Sequence, residues 1–179
     1  MTARVIPTTY AGTRFRSRLE ARWAVFFDLL GIYWEYEPEA YLLADGRGYA
    51  PDFLLPRFNG GVVAEVKPEG DAFDKAWALA RDGHGIWLCE GPPGFRAYTF
   101  AQGDDGEVER WTVLPLYDQA LGEDRFFYVQ DPSEVHYLSA GADRIVAAAL
   151  IASRQSFWEP GSPVLVSRHT DLPMEIRTL

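Results

Sequence analysis

From Phe15 to Leu30 the chain reads "FRSRLEARWAVFFDLL", and its apolar positions return with a helical period. Leu19, Trp23, Phe26 and Leu30 form one stripe, with Glu20, Ala24 and Phe27 directly beside it. Gly31 supplies a helix stop. The pattern then changes to short apolar runs. "IYWEYEPE" (Ile32 to Glu39) predicts a strand ending at Pro38, and "YLLADGRGYAPDFLLP" predicts a hairpin turning at Asp45-Gly46. "RFNGG" (Arg57 to Gly61) is a second turn leading into "VVAEVKPEG", a strand that Pro68 ends. "DAFDKAWALARDG" follows as a short helix, with Asp71 as its N-cap, Phe73, Trp77 and Ala80 as its buried stripe and Gly83 as its stop. "GIWLCEG" is a continuously apolar strand of the buried kind.

The order is thus helix, a meander of three or four strands, helix, strand: an α/β core over residues 15–90. Beyond it, "FRAYTFAQ", "EVERWTVLPLYD" and "RFFYVQD" predict aromatic-rich strands, followed by a helix from Ala142 to about Trp158 whose Ala147, Ala148 and Ala149 give it a thin packing face. The length of this part favours an extension of the first sheet (residues 92–160) over a second domain. One domain over residues 1–160 is expected, with 161–179 as a tail or edge segment.

Within "VVAEVK", Val62, Ala64 and Val66 share one face of the strand, and Glu65 and Lys67 point to the other. The chain has 17 basic residues, and only Lys67 and Lys75 are lysines. A sequence that otherwise chooses arginine has placed a compact, titratable ammonium in an apolar strand, which points to chemistry. The hairpin closing on this strand allows two registers. With a Phe58-Asn59 loop Asp52 pairs with Glu65; with an Asn59-Gly60 loop Asp52 faces Lys67 and Leu54 faces Glu65. In both, Asp52, Glu65 and Lys67 share one sheet face. Two carboxylates this close in a half-buried site are costly unless a cation joins them, and a hard divalent ion such as Mg²⁺ accounts for both acids at once.

"PDFLLP…AEVKP" resembles the PD-(D/E)xK motif of restriction-endonuclease-like nucleases, through Pro51-Asp52 and Glu65-Val66-Lys67. The preceding helix with an inward acid, Glu20, and the order of elements agree with that family's αβββαβ core. The resemblance covers residues 15–90 and implies an α/β fold with a mixed sheet flanked by helices, here extended by C-terminal strands and a helix. It implies a metal-dependent deoxyribonuclease, an endonuclease of defence, repair or mobile-element type, using Mg²⁺ or Mn²⁺. Asp52, Glu65 and the Val66 backbone carbonyl would bind the metal. Lys67 would orient or deprotonate the attacking water and stabilise charge on the phosphate. Glu20 would complete the metal site or hold a metal-bound water. The products would carry 5′-phosphate and 3′-hydroxyl ends. The alternative is a catalytically silent nucleic-acid-binding or assembly module on the same fold, against which the intact Asp52, Glu65 and Lys67 set speaks.

For Glu20 a local alternative stands beside the catalytic one. "SRLE" fits a capping box in which Glu20 folds back on the helix start, although the apolar period running back to Phe15 would put Ser17 inside the helix. Residues 1–22 hold five arginines against one acid, so a local excess of +4 sits on a chain of net charge −9. Arg14, Arg16, Arg18 and Arg22, with Lys75, are the candidate contacts to a DNA backbone, because screening confines the acidic body's repulsion to about 8–10 Å. The overall charge excludes indiscriminate coating of nucleic acid and implies that a partner protein supplies part of the affinity; a homodimer is compatible with it.

Glu35 and Glu37 alternate in a strand and are expected to face solvent. His84 reads as a turn residue and Cys89 as a core thiol. No zinc spacing and no P-loop occurs. With 47% hydrophobic residues the chain can fill one core. Its longest uncharged apolar run, "IVAAALIA", is far short of a membrane span. The single cysteine and the absence of a signal-like start point to a cytoplasmic protein without membrane contact.

Overall fold

The first apolar residue of the predicted helix, Phe15, belongs instead to a hairpin. Strands β1 (Thr8–Tyr10) and β2 (Thr13–Phe15) pair antiparallel, with Thr8 opposite Phe15. Ala11 and Gly12 turn between them, both at positive φ, as a type I′ hairpin turn requires. This computed structural model describes residues 6–57, 61–93, 97–102, 108–118, 123–129 and 142–154. Helix α1 therefore spans Arg18–Leu30, with Ser17 as an extended N-cap, and the expectation of a start at Phe15 is corrected. The apolar period misled because Phe15 is buried too, as the end of a strand stacked against Tyr36. Gly31 closes α1 in the left-handed conformation, and the Ile32 N–H reaches back to the Phe27 carbonyl.

Only Glu35–Tyr36 (β3) of the predicted strand 32–39 joins the sheet; Glu37 turns out of it at φ 47. The expected hairpin over 41–56 splits. Tyr41–Leu42 (β4) and Gly48–Tyr49 (β5) form a small separate ribbon around the Asp45-Gly46 turn, whereas Phe53–Leu55 (β6) enters the main sheet. Val62–Lys67 (β7) follows, then helix α2 (Asp74–Arg81) and strand β8 (Ile86–Glu90). The N-cap of α2 is Phe73, without a side-chain bond, so Asp71 is not its cap. Its buried residues are Ala76 and Leu79; Phe73, Trp77 and Ala80 are only partly covered, and the Arg81 guanidinium lies over the Trp77 ring. A helix of eight residues against one sheet face needs only that narrow stripe.

The main sheet runs β11-β10-β9-β8-β7-β6-β3, where β9 is Ala97–Gln102, β10 Val108–Asp118 and β11 Glu123–Val129. The C-terminal strands extend the first sheet, as expected. β7 and β8 are parallel and the remaining pairs antiparallel, a mixed sheet in an α/β fold. Helix α3 (Ala142–Arg154) packs on α1 through Ala148, Ala149 and Ala152, whose small side chains permit the close approach. The predicted tail 161–179 lies outside the described residues.

The two sheet faces carry separate cores. Phe53, Leu55, Val62, Ala64, Val66, Trp87 and Cys89 face α1, where Trp23, Phe26 and Phe27 fill the layer with edge-on aromatic contacts. Val63, Ile86 and Leu88 face α2 and the β4–β5 ribbon. By strand alternation Glu65 and Lys67 belong to this second face. Among the described residues no helix is long and apolar enough to cross a membrane.

Candidate active site

Phe53 pairs with Ala64, Leu54 with Val63 and Leu55 with Val62. This selects the first of the two registers, and one step further along the strands Asp52 stands opposite Glu65. The ladder stops there. The Val66 N–H, which continued pairing would give to a backbone carbonyl, is met instead by the Asp52 carboxylate, with Oδ2 accepting at 2.8 Å. On its other side the Asp52 carbonyl accepts the Glu37 N–H at 2.9 Å. A buried carboxylate thus sits where β6 parts from β7, held by backbone at both ends.

Asp52 is 3% exposed and Glu65 6%. Burial, and after it the Glu65 charge, pushes the Asp52 pKa up to about 7, against the pull of the Val66 N–H and the Arg16 charge. Glu65 Oε2 accepts the Tyr49 hydroxyl at 2.8 Å, and its Oε1 lies 2.6 Å from Lys67 Nζ. Burial lowers the affinity of the Lys67 ammonium for its proton, but the Glu65 bond and charge outweigh it and hold the pKa above the usual lysine value. Burial, reinforced by Glu65, keeps the Tyr49 phenol far from ionisation. The Gly91 N–H bonds the Lys67 carbonyl, and the Trp23 indole donates to the Gly91 carbonyl, so α1 fixes the end of the motif strand.

Glu20 is 8% exposed and does cap the helix. Its N–H donates to Ser17 Oγ, and the Ser17 hydroxyl donates back to Oε1. Its other oxygen accepts from the Arg16 N–H at 3.1 Å and from the Tyr36 hydroxyl at 2.5 Å. Burial and then that bond raise the Tyr36 pKa to about 12. The Arg16 guanidinium lies between the acids: Nη2 contacts Asp52 Oδ1, and Nε is 3.1 Å from Glu37 Oε1 and 4.0 Å from Glu20 Oε2. Glu20 therefore borders the Asp52–Glu65 pair through Arg16. Among the described residues no three acid, His or Cys side chains gather as a metal-holding group.

The other basic candidates scatter. Arg14 is exposed on β2, Arg18 and Arg22 are partly covered on α1, and the Arg22 Nε is buried without a hydrogen-bond partner. Lys75 Nζ reaches the Gly48 carbonyl at 3.4 Å. Sequence reasoning missed Tyr36 and Tyr49; Glu37 is exposed, as expected, and its carboxylate also grips Arg16. Each acts only because the chain folds back across the sheet, and neither helical nor strand period signals that.

The donor set suits a small divalent cation. Two hard carboxylates lie side by side, and burial, then the Glu65 charge, raises the Asp52 pKa despite the nearby Arg16 charge. Mg²⁺ is commonly held by one or two carboxylates and keeps several waters, so a third acid is not required. No known family model matches the chain, and no curated protein matches it either.

Proposed function

We propose that the protein is a metal-dependent nuclease that hydrolyses DNA phosphodiester bonds on a restriction-endonuclease-like core. The observation that carries this is the juxtaposition of buried Asp52 and Glu65 across one strand pair, with Lys67 on the Glu65 carboxylate. A solvated salt bridge has no need of a second buried acid opposite it.

Asp52, Glu65 and the Val66 carbonyl would hold Mg²⁺ or Mn²⁺, which when bound supplies Lewis-acid stabilisation of phosphate charge and a more acidic water. The chain's own residues do the positioning. The Val66 N–H and the Tyr49 hydroxyl fix one oxygen of each carboxylate, so the other is presented in a single orientation. Lys67, protonated beside Glu65, offers a fixed charge and N–H donors to a phosphate oxygen and to the attacking water. Glu20 and Tyr36 hold the backbone at Arg16 and so set the rim of the site.

The test is incubation of the pure protein with duplex, single-stranded and branched DNA, and with RNA, in Mg²⁺, Mn²⁺ or EDTA. Cleavage of DNA in metal but not EDTA, lost in Asp52→Ala and Glu65→Ala variants that stay folded, is expected. DNA binding without cleavage in any metal would replace this proposal with the silent binding module.

A further inference from the structure

Each site carboxylate has one oxygen on a fixed donor and one on a cationic side chain. Asp52 Oδ2 is held by the Val66 N–H and Glu65 Oε2 by the Tyr49 hydroxyl, both at 2.8 Å. The remaining oxygens, Asp52 Oδ1 and Glu65 Oε1, are covered by Arg16 and Lys67. Lys67 lies on the motif strand. Arg16 comes from the junction of β2 and α1, and its side chain is 56% exposed. Its Nε is gripped by Glu37, whose own side chain is half exposed. Glu37 adopts φ 47, a left-handed conformation that costs energy for a non-glycine residue and persists where surrounding structure imposes it.

We propose that Arg16 is a resident counter-ion of Asp52 that a divalent cation displaces, and that the freed guanidinium, retained by Glu37, then turns to a DNA phosphate. The inference rests on the metal-dependent reading above. A buried carboxylate is not left without a compensating partner, and a guanidinium never loses its charge, so Arg16 is a permanent substitute for the cation. The oxygen it covers is the one oxygen of Asp52 that the backbone does not already hold. A cation that takes this oxygen competes with the guanidinium for it. Because Glu37 holds Nε and not the nitrogen on Asp52, displacement needs only a rotation of the exposed side chain. Before metal binds, three acids neutralise Arg16 and it attracts phosphate weakly. After displacement Asp52 faces the metal, and the guanidinium, left with Glu37 as its close partner, turns its Nη nitrogens toward substrate.

The consequence is that the native protein binds metal more weakly than its carboxylates alone would. Calorimetric titration with Mn²⁺ should show Arg16→Gln binding roughly five- to tenfold tighter than wild type, the scale of one charge-assisted contact on a partly exposed side chain. Arg16→Lys, which keeps the charge but loses the two-pronged grip, should fall between them, and it keeps the test open should the Gln variant fold poorly. Arg14→Gln removes the same charge from the adjacent strand and should leave the affinity near wild type. Equal or weaker Mn²⁺ binding by the Arg16 variants, with wild type binding normally, overturns the counter-ion and leaves the metal site standing. No Mn²⁺ binding by any of them overturns both. The hand-over is read in a Lys67→Ala background, by duplex DNA affinity against salt. Arg16→Gln should flatten the log–log slope by about 0.9 in Mn²⁺ and leave it unchanged in EDTA. The same flattening in both conditions, or in neither, refutes the hand-over.

Discussion

Without metal, the charge at Asp52 should weaken the fold as pH rises. Its pKa stands at about 7 in the folded protein, against a usual 3.8. Between those values the unfolded chain has lost this proton and the folded chain still holds it. Unfolding then releases a proton, so stability is full below the lower value and declines as pH climbs to about 7. Each pH unit in that window corresponds to about 1.4 kcal/mol, and the gap gives a total of about 4 kcal/mol. That is a large share of a domain's typical stability of about 5–15 kcal/mol. Asp52→Asn keeps the shape and an oxygen for the Val66 N–H but has no proton to lose. Urea unfolding of both proteins in EDTA, from about pH 4 to about pH 8, reads Asp52 together with the Glu65 charge it faces, because titrations remote from the pair cancel in the difference. Wild type should lose about 4 kcal/mol relative to Asn across the window, and Mn²⁺ should restore it at the upper end by binding the folded state. Parallel curves would refute the reasoning. A wild type that gains on the variant with rising pH would show Asp52 already overcompensated, with no charge deficit for a metal to fill.

Three further outcomes follow from the same geometry. Tyr49→Phe leaves a buried Glu65 oxygen without its donor and should cost about 1–3 kcal/mol in urea unfolding; it should also lower the cleavage rate, since Glu65 loses its fixed orientation. Ser17→Ala removes the helix cap and should cost about 1 kcal/mol while leaving Mn²⁺ affinity near wild type in calorimetry; a loss of metal binding would mean that the cap also sets the site. Lys67→Arg replaces a compact ammonium with a broader planar fork and should lower cleavage by roughly a hundredfold, within the range of a lost proton-transfer or positioning group. Near-wild-type cleavage by that variant would leave Lys67 as a charge of no particular shape.

The sequence by itself placed much of what the site needs. Alternation in "VVAEVK" put Glu65 and Lys67 on one face, and the hairpin limited Asp52 to two positions, both beside them. The alternating apolar residues had to reach a core, and that requirement fixes a strand's faces without knowledge of its neighbours. Register was different: it depends on how the chain turns before Val62, and only the pairing of Phe53 with Ala64 settled it. The helix start showed the reverse failure. Phe15 lies four residues before Leu19, so helical period and a buried strand end look alike, and only the β1–β2 hairpin separates them. With that boundary moved, Ser17 became a cap and Glu20 its partner. Least legible were the contacts that complete the site: Tyr49 on Glu65, Tyr36 on Glu20, and Arg16 between Glu37 and Asp52. Each joins residues 16 or more apart across a chain reversal. Local periodicity records which side of an element is buried. It does not record which polar group from a distant turn meets a carboxylate there, because that is set by how the elements stack.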